Sequence, residues 1–106
     1  MNEHEMNGAV ITPRSWVAVS SEQVSCDLAG EAVVLSLRDG AYYGMNPVGA
    51  RVWQLIQKPV AVSAVRDALL GEYGDVTADQ CEREVVMLLT QLADWDLVQV
   101  IDPEAA

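Results

Sequence analysis

The hydrophobic pattern of this chain changes period once, at Asn46-Pro47, and that change limits what it can fold into. Upstream, apolar and polar residues alternate, as half-buried strands require. Downstream, apolar residues recur every three to four positions, as amphipathic helices require. In Gln23–Leu28, Val24 and Cys26 alternate with Ser25 and Asp27. In Glu31–Leu37, Val33, Leu35 and Leu37 share one face. Arg38-Asp39-Gly40 follows, and Asp-Gly favours a tight hairpin because glycine accepts a positive φ. Ala41–Met45 then places Ala41, Tyr43 and Met45 on one face and Tyr42 and Gly44 on the other. The expectation is a three-stranded antiparallel meander.

Helix signals begin at the switch. Asn46 is a good N-cap, and Pro47 suits the first helical position, where a missing N–H costs nothing. Val48, Val52, Leu55 and Ile56 form one face, with Trp53 beside it, and Lys58-Pro59 ends the helix near Gln57. A second helix spans roughly Val62 to Tyr73, with Gly74 as its stop. Thr77 and Gln80 form a capping-box pattern for a third helix running to about Trp95. Leu97–Ile101 closes as a short strand. The fold class expected is α+β, three strands and then three helices, in a winged-helix-like order. Residues 1–14 read as a tail, 15–102 as the domain and 103–106 as a second tail.

Composition narrows the function. Of the 106 residues, 51% are hydrophobic, enough for one core. Six Lys and Arg against 16 Asp and Glu give a formal charge of −10. So few scattered bases make no phosphate-neutralising patch, which opposes nucleic acid and an anionic membrane surface as partners. No apolar run reaches the length of a membrane span. Met1 to Gly8 carries Glu3 and Glu5 and does not read as a signal peptide. Cys26 and Cys81 stand far apart without a CxxC partner, which fits reduced thiols and a cytoplasmic setting.

Catalytic chemistry is scarce. His4, the only histidine, lies in the expected tail, so a Cys–His pair with Cys26 or Cys81 needs that tail to fold back. Cys81 lies on a core stripe and Cys26 alternates like a strand core residue. No metal-ligand spacing and no phosphate-binding glycine loop is present. We therefore expect no catalytic residues, no metal and no cofactor.

The third helix carries an unusually wide apolar face. Stepping about 100° per residue, Trp95, Leu88, Cys81, Leu92, Val85, Leu89, Ala93 and Val86 span an arc of about 180°. Core packing needs little more than about 100°. Cys81, Val85, Leu88 and Leu92 suffice for that, which leaves Val86, Leu89 and Ala93 as surplus. Two readings stay open: a helix wedged between two layers, or an apolar groove beside the sheet. The third strand, short and without Lys or Pro, offers an edge to which a peptide strand can add.

More specific signals lie in A-Y-Y-G-M-N-P-V-G-A-R-V-W-Q-L-I (41–56), V-S-A-V-R-D-A-L-L-G-E-Y (62–73) and L-L-T-Q-L-A-D-W-D-L-V (88–98). Tyr43, Met45, Asn46, Gly49, Ala50 and Trp53 match the pattern of an aromatic, x, Leu-Asn and then Gly-Ala-x-x-Trp. Over about residues 20–101 the chain resembles the PqqD-like family of leader-recognition domains. Its size is similar to the free-standing leader-binding proteins of lasso-peptide pathways. Two departures stand out. Ala61 replaces the usual Thr or Ser cap of the second helix, and Asp96 replaces a Gly after the third, so that turn is expected to be built differently.

The resemblance implies a non-catalytic role in antibiotic biosynthesis. A precursor's leader peptide would add as an antiparallel strand along Ala41, Tyr42, Tyr43, Gly44 and Met45. Its apolar side chains would enter a cleft lined by Val85, Val86 and Leu89, and Glu82 would meet a basic leader residue. The bound precursor would be presented to a leader peptidase and a ring-closing enzyme. A PqqD-type chaperone of the quinone-cofactor precursor and a winged-helix regulator are the alternatives.

Overall fold

A computed structural model describes residues 10–21, 23–28 and 31–101. Its elements in chain order are β1 (Trp16–Val19), β2 (Gln23–Leu28), β3 (Glu31–Ser36), β4 (Tyr42–Met45), α1 (Pro47–Leu55), β5 (Val60–Ala61), α2 (Val62–Glu72), α3 (Ala78–Asp94) and β6 (Val98–Ile101). The α+β class, the meander and the three helices are as expected. Two short strands, β1 and β5, are additions.

The strands form two sheets, β5-β1-β6 and β2-β3-β4, all pairs antiparallel. In the first, β1 pairs with β6 from Trp16↔Ile101 to Val19↔Val98 and with β5 at Trp16↔Ala61 and Val17↔Val60. In the second, β2-β3-β4 follow one another as hairpins. The β3–β4 loop is Leu37 to Ala41, longer than a two-residue turn. Ser36 N–H donates to the Ala41 carbonyl, and Gly40 N–H donates to the Ser36 carbonyl. Gly40 has φ +72°, the conformation for which glycine was expected there. Leu37 belongs to this loop and is exposed, not to β3.

Each helix terminus has a distinct solution. Asn46 Oδ1 accepts from Gly49 N–H at 2.8 Å at the start of α1. Thr77 Oγ1 accepts from Gln80 N–H at 3.1 Å at the start of α3. Gln80 does not complete the capping box: its amide donates to Glu84 instead. Ala61 gives α2 no side-chain cap. Carbonyls of the preceding chain serve in its place, Ser15 accepting from Val62 N–H and Pro13 from Ser63 N–H. Ile11 is buried beside them, so the part of the expected tail from residue 11 to 14 belongs to the packed domain.

The end of α3 corrects another expectation. Asp96 adopts φ +61°, the left-handed position usually given to glycine. Asp96 N–H reaches the Ala93 carbonyl and Leu97 N–H the Leu92 carbonyl, both at 2.9 Å. That is the Schellman arrangement, made with aspartate rather than rebuilt.

Val17, Val34, Val52, Ile56, Val62, Leu89, Leu92 and Leu97 are fully buried in one core spanning both sheets and all three helices. Leu89 and Ala93 are therefore not surplus: α3 is wedged between two layers, which explains its wide apolar arc. Among the described residues no helix is long and apolar enough to cross a membrane.

Candidate functional site

The site is built on β4. In the order β2-β3-β4 this strand is a margin of its sheet, bonded to β3 on one side and to no described strand on the other. Backbone polar groups alternate in direction along an antiparallel pair. Ser36 N–H bonds the Ala41 carbonyl, so Ala41 directs its C=O, and Tyr43 and Met45 their N–H and C=O groups, toward β3. By the same alternation Tyr42 and Gly44 direct theirs outward, to the unpaired side. Gly44 is exposed, and a Cβ there would meet nothing within 4 Å. An incoming strand would find open backbone at that point.

Side chains alternate on the same strand. Tyr42 is 73% exposed, whereas Met45 is buried and Tyr43 is half-buried against the core. Tyr43 stacks on Trp95 with ring centroids 4.5 Å apart. This contact brings β4 to the C-terminal end of α3. Ala41 lies just before β4, its N–H donating to Asp39 Oδ1 at 3.0 Å. That bond, followed by one from the Ser36 hydroxyl, holds the Asp39 carboxyl below its ordinary pKa.

An apolar groove of about 180 Å3 opens where α1, α2 and α3 meet, beyond the Met45 end of β4. Val48 of the first turn of α1 forms one wall, and Cys81, Val85 and Leu88 of α3 form another. Asp75 and Glu84 supply its carboxylates. Burial, reinforced by Glu84, pushes the Cys81 thiol up, so it is a neutral thiol and not a ready nucleophile. Its Sγ lies 3.7 Å from the Arg66 carbonyl, to which it donates.

The expected site residues divide between two flanks of α3. Val85 lines the groove just described. Glu82 and Val86 instead line a depression with Ile11, Thr12 and Pro13. They stand roughly 120° and 160° around the helix from Leu88. Glu82 is already engaged, accepting from Arg66 Nη1 at 2.7 Å. Leu89 has no exposure and lies in the core. The expected Glu82 and Val86 therefore lie on the flank of α3 away from that groove. Leu88, Glu84 and Trp95, at the opposite border, face the groove and β4. The signal that identifies that border is the Tyr43–Trp95 stack, which a helical wheel does not contain.

Cys26 is exposed, contrary to its expected core position. It is paired across the sheet with Val33, which is paired with Gly44, so this row lies on the outer face. His4 and any pairing of it with a cysteine lie outside the described residues. Among the described residues no group of three or more His, Cys, Asp or Glu could hold a metal ion.

Comparison with known proteins adds a family. The model for "Coenzyme PQQ synthesis protein D (PqqD)" matches residues 31–98. The solved structure of TbiB1 in complex with the TbiA(beta) leader peptide is similar at 32% identity and a TM-score of 0.72, over 76% of this chain and 93% of that one. A lasso peptide synthetase B1 complexed with the leader peptide shares the fold at 23% identity and a TM-score of 0.69, over 77% and 95% of the two chains. No curated protein matches.

Proposed function

The chain belongs to the PqqD family, and from that premise we propose that it binds the leader segment of a ribosomally made precursor peptide in lasso-peptide biosynthesis. The leader adds as an antiparallel strand to β4, pairing with the outward N–H and C=O groups of Tyr42 and Gly44. Backbone pairing supplies affinity, and side-chain pockets supply selection. Apolar leader side chains enter the groove of Val48, Val85 and Leu88, and the Tyr43–Trp95 stack forms the floor nearer the hairpin. Asp75 and Glu84 favour a leader without acidic residues at that point.

The observation that carries this reading is the unpaired margin of β4, followed three residues beyond the strand by Val48 in the wall of an apolar groove. The likeness to TbiB1, a protein solved with a leader peptide, supports leader binding. A lasso precursor, rather than the quinone-cofactor precursor suggested by the family's description, is what the resemblance to free-standing leader-binding proteins implies. The domain does no chemistry on the leader. It holds the precursor for a leader peptidase and a ring-closing enzyme. The neutral, buried Cys81 thiol supports a binding role.

The test is a titration of a fluorescently labelled leader peptide, the TbiA(beta) leader with which the similar TbiB1 was solved, against wild type, Gly44→Pro and Gly44→Ala. Proline removes one outward N–H without breaking a bond to β3, which edge strands tolerate. Gly44→Pro should weaken binding about tenfold or more, while Gly44→Ala should bind like wild type. Equal affinity for all three, in folded protein, would falsify strand addition at β4.

A further inference from the structure

The same sheet has a second margin. By the alternation that orients β4, Gln23, Ser25 and Asp27 direct their backbone groups away from β3, toward the side of β2 on which no described strand pairs. Beneath this margin, between β2 and α1, lies a cavity of about 210 Å3. Trp53 of α1 lines it. The Trp53 side chain is 3% exposed, and its indole N–H has no acceptor. Buried donors in folded proteins are almost always paired, and an unpaired one is costly. The nearby Gln57 amide nitrogen donates to the Trp53 carbonyl, and no described group accepts from the indole. A second unpaired group, Gln23 Oε1, is buried on β2 itself. One is a donor on a residue that lines the cavity and the other an acceptor on the strand that borders it.

The lining is as informative as the orphans. In a chain of formal charge −10, this cavity is bordered by Ser25, Cys26, Ala32, Ala50, Gln54 and Gln57, and none of the described side chains around it is Asp, Glu, Lys or Arg. It favours uncharged hydrogen-bonding matter over ions. The strand margin beside it favours an extended peptide over a small solute. A second copy of this chain is disfavoured, since two such copies would bring like charges together.

We propose that β2 and the Trp53 cavity form a second docking site, which takes an extended, uncharged segment of a partner protein. The segment pairs with the outward backbone of Gln23 and Ser25, and one of its carbonyl or side-chain amide oxygens accepts from the Trp53 indole. The site stands independently of leader binding. With a leader on β4, the two guests would flank one sheet, about 10 Å plus a strand spacing on each side apart.

The indole N–H signals of Trp16, Trp53 and Trp95 in the 15N-labelled chain provide the readout, with Trp53→Phe assigning the relevant one. The probes are N-methylacetamide, acetate and the peptide acetyl-Thr-Val-Asn-Val-Thr-amide. N-methylacetamide and the peptide should shift the Trp53 signal saturably, and acetate should not. The peptide should bind about tenfold more tightly than N-methylacetamide, because strand pairing adds backbone bonds. Ser25→Pro should remove that advantage while leaving the N-methylacetamide response, which keeps the test valid if Trp53→Phe fails to fold. An unmoved Trp53 signal overturns the site. So does a peptide that binds no better than N-methylacetamide, or a dimer that protects the β2 amides without any peptide. Leader titration reads β4 signals instead, so failure of either site is visible separately.

Discussion

In the β5-β1-β6 sheet the pairing is non-local: β1, near the start of the described chain, is matched along its whole length by β6, at its end. In the β2-β3-β4 sheet the pairing is between consecutive hairpin strands. Val17 and Ala18 of the first sheet are buried, whereas Val24 and Tyr42 of the second are more than half exposed. The first sheet fastens distant segments around the core. The second is covered on one face only and leaves both margins unpaired by any described strand. Closing the fold and receiving a peptide strand make opposite demands on backbone hydrogen bonds, and this domain assigns them to different sheets.

A charge placed in each sheet gives the largest contrast. Val17→Asp buries a carboxylate with no partner and should cost about 4 kcal/mol or more, enough to prevent folding of a marginally stable domain. Tyr42→Asp changes an exposed face and should cost less than about 1 kcal/mol, mainly from its cross-strand contact with Leu35. Urea unfolding followed by circular dichroism compares the two. Similar destabilisation would mean that the second sheet is as integral to the core as the first.

Neighbouring leucines of α3 sharpen the comparison one step further. Leu89 is fully buried, so Leu89→Ala should lose about 3 kcal/mol of stability. Leu88 lines the groove and is half-buried. Leu88→Ala should lose about 1 kcal/mol or less but weaken leader binding about tenfold. Denaturation and leader titration of the same two variants separate these roles. A stable Leu88→Ala variant with unchanged leader affinity would remove the groove from the proposal.

Much of this was legible locally. The meander, the Gly40 turn, the Asn46 and Thr77 caps and all three helices follow from rules that act within a few residues. β1 was not legible, because Trp16-Val17-Ala18-Val19 is a continuous apolar run without alternation and its partner lies at the far end of the chain. The capping of α2 by Ser15 and Pro13 carbonyls was hidden for the same reason. On α3, the arc width was readable but its meaning was not: a wedge and a groove wall have the same periodicity. Only the Tyr43–Trp95 stack shows that the Trp95 border lies against β4; Glu84 and Leu88 share that border, whereas the expected Glu82 and Val86 lie on the other flank.

The hairpin tip of the second sheet should respond to acid. Asp39 is held below its ordinary pKa first by the Ala41 N–H and then by the Ser36 hydroxyl. Its folded value therefore lies below its unfolded one. The ionised carboxylate stabilises the hairpin above the unfolded value, and that contribution is lost as pH falls through the folded value. Exchange of the Ala41 amide should accelerate relative to other β4 amides, beyond the intrinsic pH trend, as pH is lowered through that window. Asp39→Asn should abolish the excess acceleration.

The smallest effect concerns the joint between the two sheets, where the C-terminal end of α3 meets the hairpin. Asp96 holds a left-handed conformation that costs a non-glycine residue about 1 kcal/mol. Arg38 of the hairpin loop forms an ion pair with it at 2.5 Å, and both side chains are partly exposed. Such pairs contribute about 0–1 kcal/mol and weaken with salt. Asp96→Gly removes the strain and the pair together. At high salt, where the pair is screened, the variant should gain up to about 1 kcal/mol. At low salt the gain should shrink toward zero, because wild type then recovers the Arg38 contact. Equal gains at both salt concentrations would show that Arg38 contributes nothing to joining the hairpin to α3, and that Asp96 is retained there without benefit to stability.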